Sequence, residues 1–268
     1  MAYAYRTALV TGASSGLGRE FAEQAAAAGS DLILVARRAN LLDELAAELG
    51  RRHGVAVEVL PADLADEQDI TRVEERLAEP GRPVDLLVNN AGFDMTGRFA
   101  EVPADVQRRQ LAVNVTAPIR LARAALPRMI KEQRGGILLV SSLVSALPMP
   151  GSALYGASKA LLTAFGESLH MEAMPHGVQV TSVSAGLIRT NFHEVAGINT
   201  EGLPKAAWME ADAVARAGLA AISAGRVSVI PGRLNRIQAV YAKLAPRALL
   251  RAMTKRFLYR DVPATTGS

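Results

Sequence analysis

Tyr155 and Lys159, four residues apart in the run SALYGASK from Ser152 to Lys159, are the pair whose types and spacing suggest the most definite chemistry. The run opens a segment of helical character, so the spacing puts both side chains on one helix face. A phenol, with a reference pKa near ~10, is a poor base at neutral pH, and an adjacent ammonium is expected to stabilise its phenolate and lower that value. The phenol can then give a proton to a carbonyl oxygen or take one from an alcohol, with Lys159 as its electrostatic partner. Tyr and Lys at this spacing are common on ordinary helices, so the pair gains meaning only from its neighbours. Ser142, thirteen positions before Tyr155, closes an apolar strand-like run. Its hydroxyl can orient a substrate oxygen, and its plainer role is a strand-end cap. Asn114 sits in an otherwise apolar helical stretch, where its amide needs a partner.

A second group of residues suits binding. Strand-like Ala8-Leu9-Val10 runs into TGASSGLG, Thr11 to Gly18, and a helix is expected from Arg19 to Ala28. A glycine turn between a first strand and a helix lets backbone N–H groups and the positive end of the helix dipole meet a pyrophosphate. Gly12, Gly16 and Gly18 serve that need. An isolated match is as often a turn without a ligand, and it is the position after a first strand that favours the binding reading. At the end of the second strand, where an acid often bonds the adenosine ribose, the chain has Ala36 followed by Arg37 and Arg38. An acid would repel a 2′-phosphate and a guanidinium would bind it, so NADP(H) is expected over NAD(H), with Arg37 the better candidate. The plainer role of both arginines is as solvated charges at a helix start.

Apolar, β-branched runs alternate with segments of helical period, the pattern of a parallel sheet covered on both faces. Strands are predicted at Thr7 to Thr11, Asp31 to Ala36, Ala56 to Pro61, Leu86 to Asn89, Gly136 to Ser141, Gln179 to Val183 and Arg226 to Ile230. This describes a single α/β domain, a doubly wound Rossmann fold with a seven-stranded parallel sheet. Asn40 to Arg52 reads as one crossover helix, with Leu41, Leu42, Leu45 and Leu49 on its apolar stripe. The domain would span residues 1–232, including a substrate loop at 187–209, with 233–268 a basic helical extension interrupted at Pro246.

These motifs, in this order and over nearly the whole chain from Thr7 to about Ile230, resemble the short-chain dehydrogenase/reductase family. Thr11 to Gly18 is similar to its TGxxxGxG turn, Asn89 to Gly92 to its NNAG segment, and Tyr155 to Lys159 to its YxxxK pair. The resemblance implies a catalytic tetrad of Asn114, Ser142, Tyr155 and Lys159, in which Asn114 holds a water that relays protons from Lys159. It also implies cofactor contacts from Gly12, Ser14, Ser15, Gly16, Leu17, Gly18, Arg37, Arg38, Asp63, Leu64, Asn90, Ala91, Gly92, Tyr155, Lys159, Gly186, Ile188 and Thr190. Asp63 falls to the adenine pocket and Thr190 to the nicotinamide carboxamide, whereas Asn89 is read as stabilising the sheet. For Asp63, Asn90 and Thr190 a turn or capping role is the ordinary alternative. The family commonly has Pro-Gly after the sixth strand, and this chain has Ala185-Gly186, which removes proline's fixed φ beside the nicotinamide.

The implied activity is NADP(H)-dependent interconversion of a carbonyl and an alcohol. The alternatives are a 3-oxoacyl thioester reductase and, from another class, a catalytically silent NADP(H) sensor or membrane-associated scaffold. The substrate is expected to be a small to medium, moderately hydrophobic carbonyl or alcohol. It would meet Phe192, Val195, Ile198, Leu203, Trp208 and Met209 from the loop, and Phe93, Met95, Leu143, Val144, Leu147 and Met149 from elsewhere, although core packing explains any one of these.

Composition sets the outer limits. The 268 residues are half hydrophobic, enough for a sizeable core. The lack of cysteine excludes disulfides and thiolate chemistry, and four scattered histidines suggest no metal site. No signal or spanning segment is read, so a cytoplasmic protein is expected. The formal charge of +4 hides an asymmetry, because Ala213 to Arg260 holds ten Lys or Arg and no acid. That stretch is read first as a solvated face and second as a weak contact with an anionic membrane surface, with nucleic acid not expected. A homodimer or homotetramer is implied by the resemblance alone.

Overall fold

The computed structural model describes residues 5–192, 196–197 and 207–258. In chain order its elements are β1 (Thr7–Thr11), α1 (Gly16–Ala27), β2 (Asp31–Ala36), α2 (Ala39–His53), β3 (Val57–Pro61), α3 (Glu67–Ala78), β4 (Leu86–Asn89) and α4 (Ala104–Leu111). A π-helical segment, Ala112–Thr116, leads into α5 (Ala117–Lys131), followed by β5 (Gly135–Ser142), α6 (Ala153–Ala173), β6 (Val178–Ala185) and β7 (Leu187–Ile188). The chain continues through β8 (Trp208–Met209), α7 (Ala211–Ser223), β9 (Ser228–Val229), α8 (Arg233–Leu244) and α9 (Arg247–Leu258).

Seven parallel strands form the main sheet in the order β3-β2-β1-β4-β5-β6-β9. All seven expected strands are present. The last is shorter than expected, and a two-stranded β7–β8 pair was not anticipated, because two-residue strands leave no periodic signal. Side chains alternate across the sheet. Ala8, Val10, Leu32, Leu34, Leu138 and Val140 pack on the face covered by α1, α2 and α7. Leu9, Ile33, Val35, Ile137 and Leu139 pack on the opposite face, against α3, α5 and α6. Burial on both faces is why these strands read as unbroken apolar runs. In α2, Leu42, Leu45 and Leu49 are fully buried and Leu41 is half-buried.

The strand order reverses between β1 and β4, the place where the carboxyl ends of an open parallel sheet leave a crevice. The glycine turn, the NNAG segment, Ser142 and Gly186 all emerge there. The C-terminal extension is two helices broken at Pro246, and α8 packs beside the short turn Leu143–Ala146. Among the described residues no helix is long and apolar enough to cross a membrane.

Candidate active site

One cavity of about 1580 Å³ runs along the carboxyl edge of the sheet, and the glycine turn and the Tyr155–Lys159 pair line the same space. The turn is closed by contacts that only glycine allows. A Cβ on Gly18 would lie 2.2 Å from the Gly12 carbonyl oxygen, and Gly12, at φ +68°, lies against the Asn90 amide. Asn90 Nδ2 donates to the Thr11 carbonyl at 2.9 Å, while the Asn90 and Ala91 N–H groups donate to Thr11 Oγ1, each at 3.0 Å. Asn90 and Ala91 therefore brace the β1 turn against β4. Asn89 has the supporting place expected of it, donating to the Pro118 carbonyl at 3.3 Å. No side chain caps the first turn of α1, so its N–H groups are left for an anion. This cradle fits a dinucleotide pyrophosphate.

Arg38, rather than Arg37, is the guanidinium fixed over the turn. Its Nη2 donates to the hydroxyls of Ser14 and Ser15, both at 3.1 Å. Both arginines are exposed and line the cavity, as do Leu17, Leu64, Ile188 and Thr190. Thr190 reaches the turn itself, its side chain lying where a Cβ on Gly16 would be crowded at 3.2 Å. Asp63 lines the cavity with its carboxylate already engaged, Oδ1 by the Ala65 N–H and Oδ2 by Arg109.

At the reacting end, Ser152 precedes α6 and places Tyr155 and Lys159 one turn apart. Lys159 is buried, its Nζ donating to the Val140 carbonyl at 2.8 Å and lying 5.6 Å from the Tyr155 ring centroid. Ser142 ends β5, and its hydroxyl donates to the Ala185 carbonyl at 3.3 Å. Ala185 itself lies in the ladder, in register with Ser142, so strand pairing restrains the position that proline would otherwise fix. Asn114 lies in the π-helical segment, not in a regular long helix; such distortions are frequent at functional sites. Its amide clasps the Phe93 backbone, accepting from the N–H at 3.0 Å and donating to the carbonyl at 2.8 Å. Gly92 passes between Asn114 and Lys159, with room for no side chain beyond hydrogen without displacing one of them.

The electrostatics correct one expectation. The Tyr155 hydroxyl is not made more acidic. The protein packed round it pushes its pKa well above the ordinary phenol range, the negative charge of Asp94 pushes it further, and only a hydrogen bond with Ser142 pulls the other way. Lys159 does not offset this, because its Nζ is held by Val140 over the ring face. Burial pushes the Lys159 pKa down to about 8, with Asp94 opposing.

Asp94 went unnoticed in the sequence. It is 3 % exposed, and Oδ1 accepts from the Met95 N–H at 2.8 Å and from Gln110 Nε2 at 3.1 Å. The Ser152 hydroxyl also bonds it, and burial raises its pKa against these donors. Asn235 is the other omission. Buried in α8, it donates to the Pro231 carbonyl at 2.9 Å and fills the space beside Gly186. Asn235 lies on the side of its helix opposite the apolar stripe, so periodicity does not mark it as buried, and nothing local marks Asp94.

Of the expected apolar wall, Phe93, Leu143, Val144, Leu147, Met149 and Phe192 line the cavity. Met95, Trp208 and Met209 do not, and Val195, Ile198 and Leu203 lie outside the described residues. Phe192 meets Tyr155 with ring centroids 5.8 Å apart. Among the described residues no group of three His, Asp or Glu could hold a metal ion.

A parallel, doubly wound sheet with a glycine-cradled crevice at its switch point defines a Rossmann-type domain. The family model of the short chain dehydrogenases matches residues 6–199, and the chain belongs to that family of oxidoreductases acting on CH–OH groups. It is 33 % identical over 261 residues to dehydrogenase/reductase SDR family member 7B of Bos taurus, covering 92 % of this chain and 80 % of that one. It is 36 % identical over 190 residues to a very-long-chain 3-oxoacyl-CoA reductase of Aspergillus clavatus, covering 70 % of this chain and 55 % of the relative. Among solved structures, a short-chain dehydrogenase of Sphingobium yanoikuyae in complex with NADPH superposes with TM-score 0.80 at 36 % identity, covering 98 % of both chains. The bulky-bulky ketone specific alcohol dehydrogenase of Comamonas testosteroni does so with TM-score 0.77 at 31 % identity, covering 98 % of this chain and 97 % of that one.

Proposed function

We propose that this chain is an NADP(H)-dependent carbonyl reductase and alcohol dehydrogenase acting on moderately hydrophobic, bulky ketones or aldehydes. The observation that carries the reading is the shared cavity, in which a phosphate cradle and a Ser142–Tyr155–Lys159 group line one continuous space. When bound, the nicotinamide supplies hydride exchange with the carbonyl carbon. The protein's residues do the rest. The Ser142 hydroxyl leaves its bond to Ala185 to hold the substrate oxygen, and Tyr155 gives that oxygen its proton during reduction. A phenol whose pKa is raised keeps this proton until the oxygen develops charge, and the Lys159 ammonium would have to leave the Val140 carbonyl to stabilise the phenolate that is left. Asn114, by fixing the Phe93 backbone, positions part of the cavity wall.

Three features support NADP(H) over NAD(H): Arg38 held over the turn, Arg37 beside it, and no acid at Ala36. The NADPH complex of the Sphingobium relative agrees with that preference. A 3-oxoacyl thioester reductase is the second reading. A smaller cavity of about 500 Å³ shares Leu147, Met149 and Thr254 with the main one and is edged by Arg251 and Lys255, cations suited to an anionic carrier.

The test pairs Tyr155→Phe with the wild type, following NADPH binding by fluorescence and NADPH oxidation over ketones, aldehydes and oxoacyl thioesters. The phenylalanine variant is expected to bind NADPH within about twofold and to lose at least ~100-fold in turnover. Binding of NADPH with no Tyr155-dependent turnover on any substrate would instead favour a silent sensor.

A further inference from the structure

We propose that α8 and α9 form a docking face for an anionic lipid surface, on which the mouth of the active-site cavity opens. Leu234, Ile237, Val240, Tyr241 and Leu244 are all exposed, Ile237 to 65 % and Leu244 to 80 %. At 100° per residue they fill an arc of about 120° opposite buried Asn235 and Ala242. A helix packed on a domain normally turns such a stripe inward; here the inward side carries an asparagine and an alanine.

Cations flank the stripe. Arg233, Arg236, Lys243, Arg247, Arg251 and Lys255 are all exposed on the two helices, and no acid occurs between Ala213 and Leu258. An outward apolar stripe beside basic side chains is the arrangement of a helix lying in a membrane interface. Charge decides between this and the other occupants. A second copy meeting the same face about a two-fold axis would set these cations against themselves with no acid on either side. Nucleic acid would satisfy the cations and leave five large apolar side chains against a phosphate backbone.

The stripe is also continuous with the site. Ile237 and Tyr241 belong both to the exposed row and to the lining of the main cavity, together with Leu250 and Met253 of α9. A lipophilic ketone dissolved in the bilayer would thus enter the cavity without crossing water. The docking itself is independent of the reaction proposed above, and its test needs no turnover.

Vesicles of phosphatidylcholine alone, or with about 30 % phosphatidylglycerol, are sedimented with the full-length protein at low salt and at about 0.5 M salt. Binding is expected only to the anionic vesicles at low salt. Arg236→Gln with Lys243→Gln should weaken it about 25-fold, at roughly fivefold per charge. Leu234→Ser, Val240→Ser and Leu244→Ser together should weaken it at least tenfold (on the order of the loss of three partly buried side chains) and leave turnover of a water-soluble ketone unchanged. No sedimentation with anionic vesicles at low salt overturns the proposal. So does a triple-serine variant that binds as the wild type does, since attraction would then be charge alone. A triple-serine variant that changes oligomeric size in gel filtration assigns the face to a second copy and overturns it equally.

Discussion

Gly18→Ala tests the idea that the cradle is set by steric closure of the turn. Gly18 has ordinary helical backbone geometry, so alanine there carries no conformational strain and the effect is one of space alone. Its Cβ would sit 2.2 Å from the Gly12 oxygen, 2.7 Å from the Gly12 carbonyl carbon and 2.5 Å from Asn90 Nδ2. Relief to ordinary contact requires the Gly12 peptide to move by about 1 Å, a shift typical of overpacking. That movement breaks or bends two bonds that hold the turn, Gly12 N–H to the Val35 carbonyl at 2.8 Å and Asn90 Nδ2 to the Thr11 carbonyl at 2.9 Å. Overpacking at about 1–3 kcal/mol, plus roughly 1 kcal/mol for weakened hydrogen bonds, gives a loss of about 2–4 kcal/mol. For a chain of this size Tm should fall by about 5–12 °C. NADPH affinity should fall at least ~100-fold, because the displaced N–H groups are the ones that meet the phosphates. Gly29→Ala is the control. Gly29 has φ +88° with nothing within 4 Å of its would-be Cβ, so it should lose about 1 kcal/mol of stability and no affinity. The assays are thermal melting and NADPH titration by fluorescence. A Gly18→Ala protein that binds NADPH within twofold of the wild type refutes the steric account of the cradle.

Three other outcomes follow from the site. Lys159 has its pKa lowered from 10.5 to about 8, so it is a buried charge whose penalty is full below pH 8 and fades as pH rises to 10.5. Lys159→Met should therefore gain stability relative to the wild type at pH 7, and roughly 3 kcal/mol of that relative gain should vanish by pH 10.5 in denaturant titrations. A pH-independent difference would contradict the burial. Asp94→Asn removes the charge that holds up the pKa of both Lys159 and Tyr155. The alkaline limb of kcat/KM for ketone reduction should move to lower pH, and an unmoved limb would show that Asp94 does not act on the pair. Arg38→Asp should weaken NADPH binding more than Arg37→Asp, by at least ~10-fold against NADH, because Arg38 is the side chain braced by Ser14 and Ser15. Equal effects in competitive binding would return Arg37 to the lead.

The sequence alone carried the sheet, because each of its strands is buried on both faces and so stands out as an apolar run between helical segments. It also carried the cradle and the Tyr155–Lys159 spacing, which are local: a turn confined to eight residues and one helical turn need no distant partner to be recognised. The rest was decided by side chains that meet only after folding. Asp94 opposes phenolate formation at Tyr155 from a loop about sixty positions away, an arrangement that no spacing rule encodes. Packing round the phenol reversed the expected direction of its pKa, since burial penalises the phenolate while Lys159 is turned to the Val140 carbonyl. The register of Arg38 over Ser14 and Ser15, the place of Asn235 beside Gly186 and the outward turn of the α8 stripe likewise depend on how elements pack. Periodicity can show that a helix has an apolar face, but only its neighbours determine whether that face looks into the protein or away from it.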